Sequence, residues 1–424
     1  MKNGSFRMFF VLILIVTGST DLSGGEEWST WRGPHGDGTW DTPHFPKQWS
    51  KSEPSLIWRQ NIGGGYAGVV VADGRAYTMD RQTNPSEVER VLCFDAKTGA
   101  HLWTHAYKVE YDNLDYGNGP RAAPTIDDGC LYTLGAVGHL HCLDAESGEI
   151  IWMKDSEAEL NAQRPQWGFA ASPVIWKHLV IAHIGARPSG CFVAFDRISG
   201  KEIWRSSDDP AGYCTPILID HAGYEQLIGW TPAHVMGISP ENGEVHWSVP
   251  YTVTNGVSIA TPVFQEGIVL VSGYWEGTKA IRLGKNPRDA TLLWTEDRYL
   301  RALMSQPLYR DGYGYLLDKF HGLICFKFQT GEKVWSDNHQ MTPKGRNPQA
   351  SMVWVGETDS VLILNAAGEL IHARFTPDAF HEISRAEIIA PTWAHPAYAD
   401  TYIYARNDRE LVCHQLSASM ENGR

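Results

Sequence analysis

Eight side chains in this sequence could build one binding surface: Tyr66, Arg121, Trp167, Tyr213, Arg301, Gln349, Trp393 and His395. Aromatic rings and arginines in a concave site suit a peptide, a glycan or an anionic aromatic such as a quinone. Each precedes an apolar run, so they meet only if those runs share an axis; the plainer reading of any one is that it packs an inner ring. Catalytic signatures are sparse. His139 and His141, at i and i+2 of a strand, share a face and could ligate a metal, although a partly exposed strand face is the simpler account. His35 and Asp37 lie among glycines and read as turn residues rather than a catalytic dyad. There is no His-Glu-x-x-His, Cys-x-x-Cys, Gly-x-x-x-x-Gly-Lys or Asp-x-Asp-x-Asp-Gly.

The elements that must position these residues come from a repeat. Asp95-Ala-Lys-Thr-Gly99 leads to Trp103, Asp144-Ala-Glu-Ser-Gly148 to Trp152, and Asp196-Arg-Ile-Ser-Gly200 to Trp204. Weaker copies carry Gly243 to Trp247 and Gly331 to Trp335, and an enlarged turn around Gly284 leads to Trp294. Successive tryptophans stand roughly 40 to 50 residues apart, a period that signals stacked or radial supersecondary units. Each copy reads as a hairpin. The glycine supplies the positive φ of the turn, the aspartate accepts hydrogen bonds from the turn amides and the Thr or Ser hydroxyl, and the Trp buries a large ring whose N–H needs a partner.

The ends supply the count. Pro54 to Trp58 reads as a closing strand without earlier strands, and residues 401–404 and 410–414 read as strands that stop before any Trp. Paired, they complete one sheet and close a ring. A degenerate unit without Trp falls between Trp335 and Thr392, around 361–364, 369–372 and 380–383. The expected fold is therefore all-β, an eight-bladed propeller with tryptophan-docking repeats, in one domain over 51–424.

The Asp-Ala-x-Thr/Ser-Gly-x-x-x-Trp hairpin resembles the repeat of the pyrroloquinoline quinone (PQQ) type propellers, a family that includes quinoprotein alcohol dehydrogenases and BamB-like assembly lipoproteins. The resemblance spans about 51–416. It implies a central funnel at the start of each blade's first strand, which is where the eight candidate residues would gather. It also implies either a non-catalytic scaffold or a PQQ-dependent alcohol or sugar dehydrogenase. The dehydrogenases often carry a vicinal Cys-Cys ring beside the cofactor, and this sequence has no adjacent cysteine pair.

Residues 1–20, with Lys2 and Arg7 ahead of an apolar run, read as a secretory signal, so the protein is expected to be exported, periplasmic or extracellular. The run is too short to span a bilayer, and no cysteine precedes Cys93, which argues against a lipoprotein. Residues 21–50 form a Trp- and Gly-rich lead-in, resembling the Trp-Arg-Gly-Pro leader of exported members. Trp28, Trp31, Trp40 and Trp49 are expected to pack on the propeller's side, with Trp40 contributing much less to stability than a repeat Trp. Four of seven cysteines, Cys93, Cys142, Cys325 and Cys413, share a repeat column with Ala194, Gly237 and Ala280, a place for a small buried side chain rather than a disulfide.

A formal charge of −13 with no basic stripe excludes nucleic acid and disfavours anionic membranes. The funnel segments lack carboxylates and the blades read as compact, so no metal site and no cofactor is expected; PQQ with calcium is the alternative. These features point to an exported binding or assembly scaffold, monomeric, taking a protein or glycan ligand at its funnel.

Overall fold

The computed structural model describes residues 27–42, 45, 54–112 and 114–416; the signal segment and Trp49 lie outside them. Eight sheets make eight blades of four antiparallel strands each, and the blade 7 sheet carries a fifth, parallel strand. In chain order their innermost strands are Val70–Ala72, Thr125–Asp127, Val174–Trp176, Ile217–His221, Val263–Gln265, Leu308–Arg310, Ala350–Val355 and Ala397–Ala399. Blade 8 is completed by Ser55–Asn61, which pairs antiparallel with Glu410–Gln415 and sets Trp58 opposite Cys413. The ring is thus closed by strands from opposite ends of the propeller.

The repeat chemistry holds the rim. Thr98, Ser147 and Ser199 each donate both backbone N–H and hydroxyl to the preceding aspartate's Oδ1, at 2.7 to 2.8 Å. Gly99, Gly148, Gly200, Gly243 and Gly331 have φ between 66° and 76°. Each also lies under the indole of the preceding blade: a Cβ on Gly148 would sit 2.5 Å from Trp103. The turn glycine therefore serves two needs, the backbone angle and the flat seat for a neighbour's ring.

Each seated indole then donates across the blade boundary. Trp58 bonds Ala96 O at 2.8 Å, Trp103 bonds Ala145 O at 3.1 Å, Trp152 bonds Arg197 O at 2.9 Å and Trp204 bonds Pro240 O at 3.1 Å. Trp294 and Trp335 follow at Phe328 O and Thr376 O. Trp247 departs, bonding Gln226 Oε1 within its own blade, because the next blade carries the enlarged turn around Gly284. The small column faces these rings across the strands: Cys93, Cys142, Ala194, Gly237, Ala280, Cys325 and Cys413 each oppose a Trp. In blade 7 the sizes reverse, His372 opposing Ser384, so bulk moves inward where the Trp is missing. All seven cysteines are buried free thiols.

The lead-in corrects the sequence expectation. It enters the central bore instead of lying on the propeller's side. Trp28 and Val71 exchange two backbone bonds of 2.9 Å, and Thr39–Trp40 pairs parallel with Trp354 and Val355 at the inner edge of blade 7. Trp40 is 1% exposed and belongs to one apolar cluster with residues of blades 1, 7 and 8. The lead-in thus braces the ring where it closes, a role that only the tertiary path of the chain reveals.

Candidate functional site

Every blade begins with a short segment leading into its innermost strand, and these segments rim a cavity of about 300 Å³ at one end of the bore. Tyr66, Arg121, Trp167, Tyr213, Gln349, Trp393 and His395 all line it. Arg301 does not. Its guanidinium turns to buried Asp318, Nε to Oδ2 at 3.1 Å, and lies over the Phe320 ring. The carboxylate that captures it sits at the far end of the blade's second strand, Tyr313–Asp318, out of sight of any local pattern.

The rings of the wall pack in two groups. Tyr66 stacks on Trp393 at 6.0 Å, Tyr116 meets Trp393 at 5.8 Å, and Trp167 meets Tyr213 at 5.5 Å. Arg121 lies 5.5 Å over Tyr66 and gives its N–H groups to the carbonyls of Gly117, Gly119 and Asp115. Its charge is met by carbonyl dipoles, and burial holds its pKa below the usual arginine range. Burial pushes the Tyr213 phenol up to about 12. Burial, helped by the nearby Arg32 charge, pulls His395 down to about 3, so it is neutral and its Nε2 accepts from the Gln349 amide at 3.3 Å. The buried Trp167 indole N–H has no bonding partner among the described residues.

The floor is Trp31 from the lead-in. Its ring lies 4.5 Å from that of His395 and its N–H bonds Thr261 Oγ1 at 2.9 Å. Trp31 also borders a second cavity, about 930 Å³, at the opposite end of the bore. The bore is therefore two pockets back to back.

Sequence reasoning missed several lining groups. Asp115 and Tyr116 come from the long 109–124 connection, Tyr274 and Trp275 from the hairpin after Ile268–Gly273, and Arg346 and Asn347 from 337–349. The expectation of compact blades fails here: 114–119 overhangs the mouth, with Tyr66 donating to Tyr116 O and Asn347 reaching the Tyr116 hydroxyl at 3.2 Å. The lengths of those two connections were the available signal. The mouth is also not free of acid, since Asp115 lines it, bonded by the Gln166 amide at 2.8 Å. His139 and His141 sit away from it, on blade 2, against Tyr107 and His105 of blade 1. Among the described residues no three His, Cys, Asp or Glu side chains gather as a metal site.

Fold and mouth together define a tryptophan-docked, eight-bladed propeller of the PQQ type with a plugged bore. The sequence profile of the family described as outer membrane protein assembly factor BamB matches residues 87–337, and the chain belongs to that family. Outer membrane protein assembly factor BamB of Yersinia pestis is 20% identical over 309 residues, covering 69% of this chain and 73% of that protein. The dehydrogenase subunit of the quinone alcohol dehydrogenase of Komagataeibacter europaeus is 30% identical over 202 residues, 43% of this chain. The match spans only 25% of that subunit's length. Among solved structures, BamB from Moraxella catarrhalis superposes with a TM-score of 0.60 at 15% identity, over 88% of this chain and 100% of that one. Quinohemoprotein alcohol dehydrogenase from Comamonas testosteroni gives 0.63 at 13% identity, over 94% and 82%. At these identities the superpositions show the fold alone.

Proposed function

We propose that this protein is an exported, non-catalytic propeller that acts as a binding or assembly scaffold, holding a protein segment or a glycan in its aromatic mouth. The observation that carries this reading is the blind pocket itself: an aromatic-rich wall to which all eight blades contribute, floored by Trp31, with the guanidinium of Arg121 held by backbone carbonyls at its edge. Flat aromatic faces with few fixed polar groups recognise sugar rings or peptide side chains by shape and stacking. The family relationship supports a scaffold, and among the described residues no helix is long and apolar enough to cross a membrane.

The alternative, a PQQ-dependent dehydrogenase, draws on the alcohol dehydrogenase relatives. The residues present do not fit that cofactor. Calcium takes six to eight oxygens with carboxylates among them, whereas the mouth offers one carboxylate, Asp115, already bonded by Gln166. A fluorescence titration tests the choice, using chitotetraose, a tryptophan-containing hexapeptide, and PQQ with calcium. Saturable binding of the sugar or peptide, lost in Trp393→Ala, is the expected result. Calcium-dependent dye reduction with PQQ would overturn it.

A further inference from the structure

We propose that the chamber at the opposite end of the bore is a second binding site, which takes an extended polypeptide segment free of acidic residues by strand addition to the inner edge of blade 4. The lead-in already shows that these inner edges accept a strand. Trp28 bridges Val71 in blade 1, Ser29 O accepts from Ile126 N in blade 2 at 2.9 Å, and Gly38 O and Trp40 O accept from Trp354 and Gly356 in blade 7 at 2.8 and 2.9 Å. On the other side of the bore it reaches out with side chains only, Trp31 to Thr261 and Arg32 to Pro307 O. No backbone bond runs from the described lead-in residues to Val174–Trp176, Ile217–His221 or Val263–Gln265. These three strands face the chamber of about 930 Å³, and among the described residues nothing pairs with their inner edges.

An unpaired strand edge presents a row of N–H and C=O groups that a passing extended chain can complete, with pockets for alternate side chains giving selectivity. Ile217–His221 is the longest of the three, five residues or about 17 Å of edge, with Ile217, Leu218 and Ile219 lining the chamber. Around it Ile175, Ile217, Leu218, Val263 and Phe264 are half-buried and make an apolar strip, while Asp37, Asp311 and Glu357 stand on the remaining wall. The chamber's cations are already engaged. Arg197 pairs with Asp127 and Asp128, Lys177 with Glu225, and Arg310 with the carbonyls of Gly356 and Thr358. That leaves backbone pairing, apolar contact and the carboxylates of Asp37, Asp311 and Glu357 as what the chamber offers, so the segment it fits is one of alternating β-branched residues without acidic side chains.

The probe is a capped hexapeptide of alternating valine and threonine, compared with the same peptide N-methylated at alternate amides, each added to the full mature protein. Hydrogen exchange read by mass spectrometry is expected to slow at least tenfold in 217–221, and in flanking 174–176 and 263–265, with the unmodified peptide only. Ile217→Asp is expected to weaken binding at least tenfold; because the N-methyl comparison uses unaltered protein, the test survives a misfolded variant. Unchanged exchange in 217–221 at millimolar peptide overturns the proposal. Equal binding of the N-methylated peptide overturns it too, as does protection at the outer strands 202–206 and 245–250 or in the mouth segments.

Discussion

The rim and the bore of this propeller are built on opposite principles. At the rim one solution recurs: an aspartate closes a turn, a glycine flattens it, and the indole of the preceding blade sits on it and donates to the next carbonyl. In the bore the side chains change from blade to blade. The mouth takes Tyr66, Arg121, Trp167, Tyr213, Gln349 and Trp393 from six of the blades, and a single pass of the lead-in divides the space. Repetition secures the ring and leaves the bore free to vary, which is where a propeller family changes ligands without changing fold.

The sharpest test of that contrast compares two tryptophans. Trp152→Ala, at the rim, is expected to cost about 3–5 kcal/mol, the usual loss for a buried large aromatic. Trp40→Ala is expected to cost as much, since Trp40 is 1% exposed against 8% for Trp152. Chemical denaturation decides it, and a cost near zero for Trp40 would return the lead-in to the status of a surface appendage.

That comparison also marks what the sequence could tell. Asp95, Gly148 and Trp204 were legible because each turn's chemistry is local and appears several times, so the repeats corroborate one another. The closing pair of strands was legible because each end lacked what the other had. Trp40 was not: its burial depends on a parallel pairing with Val355, more than three hundred residues away. Arg301 failed for the same reason, drawn off by Asp318 across a hairpin. Seven of the eight mouth residues came out together because position in the blade, a repeat property, decides where they point.

A smaller effect separates the two roles of the rim glycine. Gly148→Ala places a Cβ 2.5 Å from the Trp103 ring and strains a residue at φ 75°. The expected cost is about 2–3 kcal/mol, from left-handed backbone strain plus displacement of the indole. Gly74→Ala has a similar φ of 69° but nothing within 4 Å, and is expected to lose only the backbone part, about 1–2 kcal/mol. Equal losses in thermal melts would mean that the seat for the neighbour's ring contributes nothing.

Acid is expected to act on the bore. Burial pulls His183 down to about 4, and its Nε2 accepts the Gly212 N–H at 3.0 Å, holding the backbone beside Tyr213. The folded state disfavours the imidazolium, so the unfolded chain binds more protons between about pH 6.5 and 4. Stability is therefore full above the ordinary histidine range and is lost as pH falls through it. At pH 5 the expected loss from His183 is about 2 kcal/mol relative to pH 7.5, and His183→Gln is expected to flatten that slope. Denaturant midpoints that do not move between the two pH values would exclude a neutral, buried imidazole at this place.

The smallest expected effect lies back at the rim. Asp196 accepts the Ser199 N–H and hydroxyl at 2.8 and 2.7 Å, bonds that hold its carboxyl below the usual range, and the next residue's carbonyl, Arg197 O, receives the Trp152 indole at 2.9 Å. The turn is exposed, so water replaces much of what the carboxylate gives up, and Asp196→Ala is expected to cost only about 1 kcal/mol. Asp196→Asn keeps an acceptor and is expected to recover most of it. The indole remains seated on Gly200 in both variants, because the glycine's backbone angle and the ring contact do not depend on the aspartate. A loss in Asp196→Ala as large as in Trp152→Ala would place the strength of the blade interface in the turn's hydrogen bonds and not in the buried ring.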